Sequence, residues 1–129
     1  MDPEIKREEI LYRALKPIPA WWKDDLPSSA IFKDSNGVSV DRDGGRSTGN
    51  ITLNFESRMG KENLRAIAII KVEDCLDNDT VVLHKPVEDN EHHAEIHSSH
   101  DKVELTRGQA RKLFKCCDFI YFDRNNNEL

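Results

Sequence analysis

The longest apolar run in this chain is "AIAII", at 66–70. A membrane-spanning helix needs about eighteen apolar residues or more, so no membrane partner is expected. An excess of positive charge is also missing: 19 Lys and Arg stand against 24 Asp and Glu, a formal net charge of −5. A general nucleic-acid binder needs a basic face to displace counterions from phosphate, so nucleic acid is not the expected partner. Cysteine is scarce and odd in number, with Cys75, Cys116 and Cys117 the only three. Adjacent cysteines do not bridge comfortably and no C-x-x-C pair is present, which points to reduced thiols in a cytoplasmic protein, Cys117 packing as a small hydrophobe. The opening "MDPEIKREEILYRALK" has no apolar stretch of the kind a signal peptide requires. The spacings of a P-loop, a dinucleotide fingerprint, a G-x-S-x-G elbow and an H-E-x-x-H site are all absent. A single domain over 1–129 is expected, with 1–4 and 124–129 frayed.

Patterned apolar clusters are present. Residues 4–16, "EIKREEILYRALK", read as a short helix or an edge strand, stopped by Pro17 and Pro19. "PIPAWWKDDLPSSA", 17–30, reads as an irregular strap anchored by Trp21 or Trp22. Asn36-Gly37 lies between "AIFKDS" and "VSVDR", which predicts a hairpin. "ITLNF", 51–55, alternates as a strand does. "LRAIAIIKVED" fits a strand or a helix by pattern, and its β-branched content favours a central strand. "TVVLH" at 80–84, "HAEIH" at 93–97 and "FIYF" near the end read as further strands. In "TRGQARKLFKCC", 106–117, Thr106 and Gln109 have the spacing of a capping box, and Ala110, Leu113, Phe114 and Cys117 form a helical stripe. The sum is an α+β domain: a small mixed or antiparallel sheet with one or two helices packed on one face.

Four of the five histidines fall in "NEHHAEIHSSH", 90–100. On a strand, alternate residues share a face, so His93, Glu95 and His97 point one way. Two imidazoles and a carboxylate form the ligand set of several catalytic metal sites, and a divalent metal, zinc first, is the cofactor that set would take. The competing reading makes His92, Ser98, Ser99 and His100 solvated turn residues and His93 a half-buried side chain, so that His93→Ala should cost more stability than His97→Ala or His100→Ala. Asp89, with His93 or Glu95, has the chemistry of an acid–base pair, although Asp89-Asn90 also suits a turn.

Three pieces, "LYRALKP…LPSSAIFKD…GVSVDRDGGR", "KPVEDNEHHAEI" and "LTRGQARKLFKCCDFI", together resemble a family of small bacterial proteins of unknown function. That resemblance singles out Arg13, Ser28, Ser29, Phe32, Ser39, Val40, Asp41, Asp89, Asn90 and His93. It implies no activity and passes over His92, His97 and His100. "LYRAL" is also loosely similar to the first strand of ADP-ribosyltransferase-like folds, which would give Arg13, Ser29 and Glu95 roles in holding nicotinamide dinucleotide.

Two functions follow as expectations. One is a binding or accessory module that acts through contacts with another protein. The other is a small hydrolase or nuclease-like enzyme, with or without metal, whose site gathers Arg13, Asp41, Asp89, His93 and Glu95. Convergence of these polar residues, Arg13, Asp41 and His93 above all, in one pocket would favour the enzyme; scatter, with each satisfying local backbone groups, would favour the module.

Overall fold

Strand β1, Ile10–Leu15, carries a tyrosine and an arginine, yet it runs through the interior of the sheet. The computed structural model describes residues 1–122, so the expectation for 124–129 lies outside the described residues. β2 (Trp22–Lys23) and β3 (Leu26–Pro27) form a separate two-stranded ribbon. β4 (Val38–Arg42), β5 (Ala66–Lys71), β6 (Val81–His84), β7 (His93–His97) and β8 (Asp118–Tyr121) complete the main sheet. Its order is β6-β7-β4-β1-β5-β8, with every neighbouring pair antiparallel. Three helices accompany it: α1 (Thr48–Met59), α2 (Val72–Asp77) and α3 (Arg107–Cys116). Among the described residues, no helix is long and apolar enough to cross a membrane.

Strand alternation divides the core. Leu11 and Leu15 of β1, Val38 and Val40 of β4 and Ile96 of β7 pack with Val72 and Cys75 of α2 and Ala110 and Leu113 of α3. On the opposite face, Tyr12 and Ile67 pack with Ile51 and Phe55 of α1. The α+β class therefore holds, and α1 adds a second covered face. The alternation of 51–55 is misleading, because Ile51 and Phe55 are also four apart, the helical spacing. Leu53, which a strand would share with them, is 63% exposed. The Ser47 side chain accepts from the Asn50 amide at 3.1 Å and starts the helix.

The predicted hairpin at Asn36-Gly37 does not form, since residues 29–32 make a single 3-10 turn capped by Ser28. The adjacent Ile31 and Phe32 are both fully buried, which a strand with one covered face does not allow. A turn does occupy 34–37: the Asp34 carboxylate accepts from the Asn36 amide at 2.9 Å, and Gly37 sits at φ +98. The "WWKDDLP" stretch is also more regular than expected. Asp24 and Asp25, both at positive φ, join β2 to β3 through a two-residue turn. The capping box of α3 is present in full. Cys75 and Cys117 pack in or against the core, and burial pushes the Cys75 thiol up to about 12 and that of Cys117 up as well.

At the end of β4, the buried Arg42 gathers the N-terminal segment. It donates to both oxygens of Glu9, at 2.7 and 2.8 Å, to the carbonyls of Asp2 and Glu4, and to His84 Nδ1 at 3.0 Å. Two of the residues expected to fray, Asp2 and Glu4, thus have carbonyls bonded to the sheet.

Candidate functional site

The main sheet has one weak seam. β1 pairs with β5 along its whole length, and β4 pairs with β7 from Val38 to Asp41. Between β1 and β4 the ladder holds only Leu11↔Arg42 and Tyr12↔Asp41. Past Tyr12 the two strands part, and a cleft of about 320 Å³ lies there, with Ala14 on one side and Ser39 and Val40 on the other. Strand backbones that separate expose amides and carbonyls that need partners. Arg13 supplies part of that need. Its Nη1 donates to the Ser39 carbonyl at 2.7 Å, and its Nε donates to the Ile31 carbonyl at 2.8 Å.

Arg13 is 5% exposed. A charge this buried is ordinarily matched by a carboxylate, because desolvation costs several kcal/mol. Arg42, equally buried, has Glu9. Arg13 has no carboxylate within ion-pairing distance among the described residues; its partners are the two carbonyls and the ring of Trp21, whose centroid lies 4.9 Å from the guanidinium carbon. Burial pulls the guanidinium down to about 10, and the more distant Asp34 charge pushes it back up, so Arg13 stays charged at neutral pH. Its Nη2 has no hydrogen-bond partner among the described residues. The only side-chain nitrogen or oxygen there both sealed from solvent and unpartnered is His92 Nδ1. Arg13 lines the cleft, and Nη2 is the guanidinium nitrogen it has to spare there.

Register brings the other candidates near. His93 stands opposite Asp41, and Asp41 opposite Tyr12, in one cross-strand row. Arg13, Asp41 and His93 all line the cleft, which is the convergence that the sequence reading asked for. Asp41 is heavily engaged: Oδ1 accepts from Asn90 Nδ2 and Oδ2 from Arg58 Nη2, each at 2.9 Å, and Arg46 lies at 3.6 Å. His93 Nδ1 lies 2.7 Å from the Lys85 carbonyl. A carbonyl only accepts, so Nδ1 carries a proton, and in the neutral ring Nε2 is the acceptor. The Tyr12 hydroxyl lies 3.3 Å from that of Thr48 on α1.

The remaining candidates lie elsewhere. Asp89 is exposed in the turn before β7, while Asn90 is buried and braces that turn through its bond to Asp41. Ser28 caps the turn that Ser29 begins. His93, Glu95 and His97 do share a strand face, but they do not assemble as ligands. His97 Nε2 donates to Glu95 Oε1 at 2.8 Å while His93 turns to Lys85. Among the described residues, no group of three or more His, Cys, Asp or Glu is placed to hold a metal ion. Gly37 explains the closeness of the pair, since a Cβ there would sit 2.8 Å from both Glu95 Oε1 and His97 Nε2.

The sequence reading missed Lys16, Trp21, Asp34 and Arg58 as cleft residues. Trp21 carried a signal as an anchor of the strap. Arg58 carried none, because it lies just beyond the 51–55 segment that alternates as a strand does. Comparison with known proteins matches the chain to no family model, no curated protein and no solved structure, so the likenesses drawn from its motifs extend no further than those motifs.

Proposed function

We propose that the chain is a binding module that acts through contacts with another protein, and that the cleft between β1 and β4 is where it binds. The observation that supports this most is how the polar candidates are spent. Both Asp41 oxygens hold Asn90 and Arg58, Glu95 holds His97, and Ser28 holds a turn. A general acid or base must reach the proton that it moves, and these groups are turned toward their own fold. A group that keeps unused capacity on the cleft is a binding group, the Arg13 guanidinium.

A second reading, a small hydrolase or nuclease-like enzyme, is favoured by the convergence of Arg13, Asp41 and His93 on the cleft and by the setting of His93. His93 is held in the tautomer that leaves Nε2 able to accept a proton, and it stands opposite Asp41. The two readings part in one experiment. Peptides are selected from a random display library against the folded chain, and the winners are mapped by amide shifts of the 15N-labelled protein. The binding reading expects shifts at Ala14, Ser39 and the Trp21 indole, unchanged in a His93→Gln variant. Winners that map only to other faces would overturn it.

A further inference from the structure

The cleft is lined by a cation with no carboxylate within ion-pairing distance among the described residues, and the chemistry of its walls identifies what would supply one. We propose that the cleft is a carboxylate-binding site, in which a planar monoanion accepts from Arg13 Nη2 while the body attached to it rests against Trp21 and Phe55. The inference rests on the binding reading above and names its ligand.

Three observations support it. Arg13 is nearly fully buried, yet it is bonded only to carbonyls and an aromatic face, unlike Arg42 with its Glu9. A guanidinium offers donors in a plane, the geometry that a carboxylate matches. Its Nε and Nη1 are fixed by the backbone, so the donor left over is held in place before any ligand arrives, and little rotamer entropy remains to be lost. The cleft walls also limit the charge of the ligand. Arg13, Lys16 and Arg58 stand against Asp34 and Asp41, which leaves one positive charge among the Arg, Lys and Asp side chains of the lining. One negative charge balances that, and a dianionic phosphate overshoots it next to two acids. At about 320 Å³ the cleft is at the small end of ligand sites, large enough for a terminal residue and too small for a folded element. The same chemistry comes from two sources, the C-terminal carboxylate of a partner chain or a free small organic acid.

The test uses the whole chain carrying Trp22→Phe, which leaves Trp21 as the single indole reporter; Trp22 stacks on Arg65 and donates to the Lys16 carbonyl but does not itself line the cleft. The probes are N-acetyl-phenylalanine, its carboxamide and phenyl phosphate, followed by a pentapeptide without acidic side chains as free acid and as amide. Trp21 fluorescence and 15N shifts at Ala14 and Ser39 report binding. Hydrogen bonds to charged groups make the expected preference for acid over amide about tenfold or more, with phenyl phosphate weaker than the acid. A peptide acid that binds more tightly than N-acetyl-phenylalanine identifies a chain end as the source, and the reverse identifies a free acid. Arg13→Gln should abolish the acid–amide difference. If that variant does not fold, the comparison in the parent protein stands without it. Equal binding of acid and amide, tighter binding of phenyl phosphate, or no binding of any probe would overturn the carboxylate assignment. Display-selected peptides that still map to the cleft would leave the binding reading intact, and their failure as well would remove both.

Discussion

Glu9→Gln probes the ion pair that ties the N-terminal segment to the sheet. The substitution keeps the shape of the side chain and removes its charge, which leaves Arg42 buried with carbonyls and His84 as its remaining partners. Breaking a buried pair by removing one partner costs about 3–5 kcal/mol. The lower end applies, because the Glu9 side chain is 16% exposed and glutamine keeps one acceptor. A loss of about 3 kcal/mol corresponds to a fall in Tm of about 10 °C for a domain of this length. In urea the midpoint should fall by about 1.5 M at an m-value of about 2 kcal/mol/M. The pH dependence is a sharper test. Burial pushes the Glu9 carboxyl up, but hydrogen bonds from Arg42 and the Lys6 amide, together with the Arg42 charge, outweigh it and hold the folded value below the ordinary one. A depressed carboxyl contributes stability that is fully present above its unfolded value, about 4.3, and is lost as pH falls through the folded value. The gap between parent and variant should therefore be full at pH 7 and shrink steadily below pH about 4. Urea melts of both proteins at pH 7, 5 and 3 measure it. A gap that stays constant with pH, or one below about 1 kcal/mol at pH 7, would refute the assignment of this pair as buried and coupled.

Three further outcomes are expected. Gly37→Ala should destabilise by about 2 kcal/mol, since it forces a side chain into φ +98 and against the Glu95–His97 pair; thermal denaturation measures this. His97 is buried and bonded to Glu95 whereas His93 is only half-buried, so His97→Ala should cost about 1–3 kcal/mol, more than His93→Ala. That reverses the ranking drawn from sequence, and His100→Ala, on an exposed residue, should be nearly silent. Thr106→Ala removes the cap of α3 and should cost about 1 kcal/mol, read as a thermal shift of a few degrees with α3 amide exchange accelerated.

The elements that were legible in the sequence had signals matching their period and their caps. The Thr106–Gln109 box fixed the start of α3, β-branched density placed β5 inside the sheet, and the alternation of "HAEIH" placed β7. The segment 51–55 was not legible, because Ile51, Leu53 and Phe55 satisfy a period of two while the pair that is buried satisfies four. The hairpin failed for a related reason: Asn36-Gly37 makes its turn, but a turn does not say what precedes it, and Ser28 was already capping a different structure. At the site, the grouping of Arg13, Asp41 and His93 was anticipated from motifs; register explains the Asp41–His93 part, while Arg13 alternates with Tyr12 and joins them only as a residue lining the gap where β1 and β4 part. The engagement of Asp41 and the His97–Glu95 bond were not readable, since both depend on partners brought in by α1 and by a neighbouring glycine. Nothing in a linear sequence marks where two strands stop pairing.

That parting of β1 and β4 has a mechanical consequence. A sheet is usually joined across its middle by amides and carbonyls that every residue carries, so no single substitution can cut the join. Here the Arg13 side chain takes the place of the missing rungs and holds the Ser39 backbone itself. Past Tyr12 the contact between the two strands therefore passes through a side chain, and a load or a ligand that draws the guanidinium away from Ser39 acts directly on how far the strands stand apart there.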